Sequence, residues 1–210
     1  MVSPQALTPW PLESFFMIRG APLGHEGLVT HLFFLDNFFS GQEADMEKYI
    51  ASAKKLGMIN ALIISPQDVF FDSRAILKCR WGCEDYFQRG IRCDIRGTTL
   101  EERVEMIKAY HRILLVHSHD AHKLSRAVLE IERTAFLDGH YFAFALRFCN
   151  LCKTCKVSQG KPCPTPQKVR PCDQSFGIDV YKTVRNLGLP CQVLQGKNDL
   201  QNRFGFVLID

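Results

Sequence analysis

The sequence of 210 residues contains no apolar run that approaches the roughly 18 residues needed to span a bilayer as a helix. It also lacks the basic segment, apolar region and small-residue cleavage site that mark a secretory signal. The sequence also lacks a large excess of positive or negative charge, because its formal net charge is only +4 at pH 7. These absences argue against membrane and nucleic-acid partners, and they make the cytoplasm the expected compartment.

Several common catalytic and nucleotide-binding motifs are missing as well. The sequence has no P-loop, no G-x-G-x-x-G fingerprint, no G-x-S-x-G nucleophile elbow and no H-E-x-x-H zinc helix. Motifs therefore assign no reaction, and the question of enzyme activity stays open. With 46% hydrophobic and 23% charged residues, the composition is that of an ordinary globular protein of one domain, with or without an appendage.

Cysteine, by contrast, is abundant, with nine residues. The odd number argues against a full set of disulfides, and in a reducing compartment bunched thiols more often bind metal or carry out redox chemistry. Four of them fall within fifteen residues at the spacing C-x2-C-x2-C-x7-C, namely Cys149, Cys152, Cys155 and Cys163. Short C-x2-C turns let neighbouring thiolates converge on one metal centre. The loop therefore predicts a metal site.

The spacing in this loop favours an iron-sulfur cluster over zinc. Three cysteines at x2 spacing followed by a Cys-Pro pair resemble the ferredoxin type of [4Fe-4S] ligation. Zn2+ also accepts four thiolates, but its usual pattern is two separated C-x2-C pairs, so zinc is the alternative metal. A metal-free structural role is a third interpretation.

The charge around the loop supports an anionic centre. From Arg147 to Cys172 there are six basic residues and no acidic one. Lysines and arginines near a thiolate-bound centre would offset its negative charge. A basic nucleic-acid surface is the rival interpretation, but no aromatic residue lies between Cys149 and Cys172 to support it. The same span contains no histidine, which favours an all-cysteine site.

A second set of cysteines comes earlier, at the spacing C-x3-C-x9-C: Cys79, Cys83 and Cys93. Three thiols leave a metal one ligand short, so the set predicts either a second cluster with an open metal position or a site that Cys172 completes. The alternative is that one or two of these cysteines are buried as small apolar side chains.

The pattern of helices and strands predicts a mixed α/β layered sandwich with at least one antiparallel pair of strands and with the cysteines in long loops. Helices are predicted to begin near Ala44, after Thr99 and after Asp120, and again over 178–187. Strands are predicted over 59–65, 141–148, 191–194 and 204–209, while 112–116 is ambiguous between helix and strand. The histidines of HSHDAH are expected to form a solvated junction between strand and helix rather than a zinc site.

Residues 1–45 have no sustained helical or strand period and are predicted to form a poorly ordered extension. The cysteine-rich domain is then expected to cover residues 46–210. The extension is interpreted either as a lineage-specific addition or as sequence upstream of a true start at Met46.

Several segments of the chain, in order, resemble a family of predicted metal-binding proteins known as domain of unknown function 2284. These are AKKLGMINALIISPQDVFFD, KCRWGCEDY, the CNLCKTC…PC segment, VRPCDQSFGIDVYKTVRNLGLP and the closing FGFVLID. The resemblance implies metal binding through both cysteine sets. The chain departs from the family pattern at Asp94-Ile95, where prolines are usual, and at Cys172, where serine is typical, so Cys172 is an additional candidate ligand.

Three hypotheses follow for the function. The first is a cytoplasmic iron-sulfur protein with one [4Fe-4S] cluster, or two, that acts in electron transfer or as a redox accessory and has a redox protein as partner. The second is a metal-dependent enzyme with an open metal position at the Cys79/Cys83/Cys93 site. The third is a zinc-stabilised interaction module, in which the metal serves folding alone.

Overall fold

The structure is a computed structural model, which describes residues 46–83, 86, 91, 96–196 and 198–210. The predicted extension at residues 1–45 and the candidate ligand Cys93 lie outside these residues.

The described residues form one sheet of four strands. The strands are β1 (Asn60–Ile64), β2 (Ile113–Ser118), β3 (Phe144–Leu146) and β4 (Arg203–Leu208). Their order across the sheet is β1-β2-β4-β3, and every neighbouring pair is antiparallel. The last strand of the chain is thus inserted between two earlier ones, and its residues are buried by neighbours that are distant in sequence.

Five helices accompany the sheet in the described part of the chain. They are α1 (46–55), α2 (Ser73–Gly82), α3 (Leu100–Lys108), α4 (Ala121–Leu137) and α5 (Val180–Asn186). Short 3-10 turns occur at Pro66–Asp68, Val157–Gln159 and Pro166–Lys168. None of these helices has the length together with the hydropathy of a membrane-spanning segment. The mixed α/β fold with antiparallel pairing is confirmed.

Apolar side chains bury both faces of the sheet. On one face, Tyr49 of α1 and Leu124 and Ile131 of α4 pack in one cluster with alternate residues of β2 and β4. On the other face, Ile107 of α3 and Val184 of α5 pack in a second cluster with the remaining strand residues. Because side chains alternate along a strand, each strand contributes to both clusters, and the sheet is held between two layers of helices and loops.

Two helices begin as the sequence predicts. Thr99 accepts a hydrogen bond from the backbone N–H of Glu102, whose carboxylate accepts one from Thr99 N at 2.7 Å. The Asp120 carboxylate accepts bonds from His122 N at 2.8 Å and Lys123 N at 3.0 Å. Both caps satisfy backbone donors that the first turn of a helix leaves unpaired.

Other elements differ from the predictions. The predicted strand at 191–194 is not a strand, and that at 141–148 is only Phe144–Leu146, with Tyr141 and Phe142 exposed. Within the described part of the chain, no strand pairs with these segments outside Phe144–Leu146. The ambiguous segment becomes β2, whose residues are all buried. Helix α2 was not predicted, because Cys79 is its only buried residue and no apolar period marks it.

Candidate metal centre

The loop with four cysteines begins where β3 ends, and its two ends are joined to each other. The backbone N–H of Arg147 donates to the carbonyl oxygen of Pro171 at 3.0 Å. On α4, the buried hydroxyl of Ser125 donates to the carbonyl oxygen of Phe148 at 3.1 Å and accepts from the N–H of Asn150 at 3.2 Å. Helix and sheet edge therefore fix the position of the first cysteines of the loop.

The structure brings the four cysteines of this loop together around one cavity of about 90 Å3. Cys149, Cys152, Cys155 and Cys163 all line it, and all four are half-buried. The loop turns back between the third and fourth cysteines at Gly160, whose φ of 71° lies in the left-handed region that glycine adopts without strain. The hydroxyl of Ser158 donates to the carbonyl oxygen of Cys155 at 2.8 Å and supports this turn.

The sequence did not predict that His122 also lines this cavity. The Asp120 cap places His122 in the first turn of α4, and the fold brings that turn against the cysteine loop. Although the loop itself contains no histidine, His122 therefore offers a ring nitrogen at the cavity. The predicted cap at Asp120 places His122 on α4, but only the packing of α4 shows what lies beside it.

The side chains around the cavity suit a thiolate-bound metal. Lys153 and Lys156 line it together with the four thiols, and the loop carries no acidic residue. Cysteine thiolates are soft ligands for iron-sulfur clusters and zinc, and nearby ammonium groups offset the charge of such a centre. Across the described residues, however, no three His, Cys, Asp or Glu side chains converge tightly enough to hold a metal ion. The thiols thus share a cavity without being arranged around a metal.

Two members of the earlier cysteine set, Cys79 and Cys83, lie at the end of α2. Cys79 is buried in the last turn of the helix, and Cys83 is the half-buried residue that follows its end. Neither of them lines the cavity of the four-cysteine loop. With Cys93 outside the described residues, the prediction of a three-thiol site stays a prediction.

Cys172 and Cys191 have surroundings that raise the pKa of their thiols. The buried thiol of Cys172 donates to the carboxylate of Asp173 at 3.2 Å. Burial, followed by the charge of Asp173, raises the pKa of this thiol well above its usual value. Burial also raises the pKa of Cys191, which packs against the second core cluster. Both environments favour the neutral thiol over the thiolate that a metal requires.

The three histidines of HSHDAH have different surroundings. His119 and His122 are exposed, as expected for a solvated junction, but His117 is buried on β2. Its ring lies 3.1 Å from the Asn60 amide nitrogen and 2.9 Å from the Asn202 amide oxygen, and it stacks on Phe204. For His117 the expectation of a solvated position was wrong, because β2 is a central strand.

Comparison with known proteins finds no curated protein and no solved structure that matches this chain. A family model does match, over residues 62–209, which is more than half of the chain and includes every candidate cysteine. Its description is a predicted metal-binding protein of the DUF2284 family. The resemblance noted from the sequence is confirmed, and the chain belongs to this family of predicted metal-binding proteins.

Proposed function

We propose that the chain is a cytoplasmic redox protein that holds a [4Fe-4S] cluster on the loop of four cysteines and acts in electron transfer or as a redox accessory. The observation that carries the proposal is that Cys149, Cys152, Cys155 and Cys163 line one cavity in a basic loop. When bound, such a cluster supplies one-electron transfer at a potential set by its surroundings.

The chain prepares this site in two ways. The bonds from Arg147 to Pro171 and from Ser125 to the start of the loop fix its two ends. The four thiols are also close in sequence, so the entropy lost on closing the site is small. Binding of metal should therefore add to the stability of a structure that is already anchored to α4 and the sheet.

The exposed lysines of the loop support a proposal about the kind of partner. Lys153, Thr154 and Lys156 are exposed beside the half-buried cysteines. A redox protein with an acidic docking surface would complement these lysines, and such charge complementarity raises association rates.

A zinc-stabilised interaction module is the second candidate, and His122 is the observation that favours it. Zinc accepts imidazole nitrogen together with thiolates in structural sites. With His122 beside the four cysteines, the cavity offers an imidazole nitrogen in addition to the four thiols that the sequence predicts as ligands. In this alternative the metal would serve folding alone.

Anaerobic purification followed by an optical spectrum and by iron, sulfide and zinc analysis separates the two candidates. We expect a brown protein with iron and acid-labile sulfide in equal amounts, and bleaching of its visible band on reduction. A colourless protein with stoichiometric zinc would support the interaction module instead. A protein that binds neither metal, even after anaerobic reconstitution with iron and sulfide, would contradict both.

A further inference from the structure

A larger cavity, of about 480 Å3, lies where β4 begins. The first residues of β4 and α5 and the first half of α2 line it. Its size is within the range of roughly 300–1,000 Å3 that is typical of small-molecule sites. No role is assigned to it by the cysteine pattern or by the family.

Two arginines in this cavity each have a buried Nε atom without a hydrogen-bond partner. Arg147 follows β3 and is only 8% exposed, and Arg203 is the first residue of β4. In each, the Nε atom is buried and has no hydrogen-bond partner, and neither guanidinium forms an ion pair with a described carboxylate. Because a charged donor that is buried without a partner is strongly unfavourable, nearly all such groups in folded proteins are paired.

The backbone holds Arg147 in this place. The register that pairs Leu146 with Phe206 puts Arg147 beside Gly205 of β4. A Cβ atom at Gly205 would lie 2.9 Å from Val128 Cγ1 and 3.4 Å from Arg147 Cδ. Because Gly205 has no side chain, the aliphatic part of Arg147 has space between the sheet and α4.

The two guanidinium groups also repel each other. Burial, and next the positive charge of Arg147, lower the pKa of Arg203. A pair of like charges in a partly desolvated cavity is stabilised when an anion lies between them. The polar side chains of Gln192 and Asn202 line the same cavity and offer further hydrogen bonds.

The carboxylates near the cavity are engaged elsewhere. Asp72 binds the Arg74 guanidinium through both of its oxygens. Asp173 accepts from the Cys172 thiol and the Gln174 N–H, and Asp179 caps α5 by accepting from Lys182 N. The charge of Asp120 acts weakly on Arg203, but this carboxylate caps α4. None of these groups supplies the missing partner.

We propose that this cavity binds a small molecule through a carboxylate or phosphate group, which Arg147 and Arg203 contact together. A planar guanidinium presents paired N–H donors that match two oxygens of such a group. The proposal does not rest on the identity of the metal at the cysteine loop. The alternative is that the two arginines only offset the negative charge of a metal-thiolate centre. This alternative arises because Arg147 also lines a small pocket with Cys149.

Calorimetric titration of the purified, metal-loaded protein with inorganic phosphate and with succinate tests the site. We expect saturable binding of at least one probe, and the comparison between the two distinguishes a phosphate-bearing from a carboxylate-bearing ligand. Arg147→Gln and Arg203→Gln should each weaken binding at least about tenfold. The control is Arg133→Gln, which removes the same charge from an exposed position on α4 and should bind as the parent does. No saturable binding of either probe, or equal binding by all variants, would overturn the proposal.

Thermal unfolding and metal analysis of Arg203→Met separate the site from this alternative. Since this change removes a half-buried arginine whose buried Nε atom has no partner, it should raise Tm in the absence of anion and abolish the rise in Tm that the bound probe causes in the parent protein. Metal content should stay the same. A variant that loses metal, has a lower Tm and still binds the probe like the parent would show that Arg203 serves the metal centre, and the proposal would be wrong.

Discussion

Arg170 and Glu132 form an ion pair that joins the end of the cysteine loop to α4. Nε of Arg170 donates to Oε2 of Glu132 at 2.7 Å, and a second bond joins Nη2 to Oε1. Oε2 also accepts from the backbone N–H of Ala145 on β3 at 2.7 Å. The two side chains are only 18% and 13% exposed. One carboxylate thus ties the loop to a helix and to the strand at the edge of the sheet.

We expect Arg170→Gln to lower the free energy of unfolding by about 2 kcal/mol, because it leaves Glu132 largely buried without its charged partner. Urea denaturation of the parent protein and the variant measures this change. Arg133→Gln is the matched control, since Arg133 and Glu130 form an exposed pair at 3.9 Å that should contribute at most about 0.5 kcal/mol. Equal losses in the two variants would show that other contacts hold the loop.

The cysteines of the four-cysteine loop should couple metal binding to stability. Thiolate ligation adds the free energy of metal binding to the folded state, so Cys152→Ala and Cys155→Ala should each lose metal and lower the melting temperature together. Metal analysis and thermal melting of the same preparations measure both effects.

The cysteine set near α2 should behave differently, because it supplies only three thiols and must close a gap of nine residues. Cys83→Ala should stay folded while it loses any second equivalent of metal. We choose Cys83 because it is half-buried, whereas a change at the buried Cys79 would also disturb packing. If Cys83→Ala unfolds the protein and Cys155→Ala has no effect, the roles of the two sets are reversed.

Cys191→Ser should leave the metal content unchanged. Cys191 matches neither spacing, packs against apolar residues and has a pKa raised by burial, so little thiolate is available for a metal. Serine keeps the size of the side chain and allows iron and zinc to be compared directly with the parent protein. A loss of metal in this variant would add Cys191 to the ligands.

Local interactions made part of this structure predictable from sequence. The caps at Thr99 and Asp120 are bonds between a side chain and a backbone N–H two or three residues away, and both helices begin where those residues indicate. Cys149, Cys152, Cys155 and Cys163 line one cavity, as short turns between them allow, while their convergence on a metal centre stays a prediction.

Contacts between distant segments could not be derived in this way. The insertion of β4 between β2 and β3 depends on which strand edges remain unpaired, and no single segment encodes that choice. The approach of His122 to the cysteine loop and of Arg147 to Arg203 follows from that strand order and from the packing of α4. The capped helices could be assigned from local sequence, but the neighbours of their residues across the fold could not.

Buried His117 predicts a dependence of stability on pH. Burial is the main cause that lowers its pKa, and the charge of His119 acts in the same direction, while the bond to Asn202 opposes them. As the ring lies between the Asn60 amide nitrogen and the Asn202 amide oxygen, the neutral form accepts from one and donates to the other. Protonation would turn the acceptor nitrogen into a donor that faces the Asn60 amide.

Stability should therefore decrease as the pH falls through the titration of His117 in the unfolded chain. An unfolded histidine titrates near pH 6.5, so below about this pH the unfolded state binds a proton that the folded state resists. The stabilisation that comes from neutral, buried His117 is fully present above about pH 7. On acidification it is lost, and the free energy of unfolding falls by no more than about 1.4 kcal/mol per pH unit. Urea unfolding between about pH 7.5 and 5.5 measures the slope. His117→Gln, whose amide can still bond both asparagines, should reduce it. An unchanged slope in His117→Gln would mean that other groups carry the dependence.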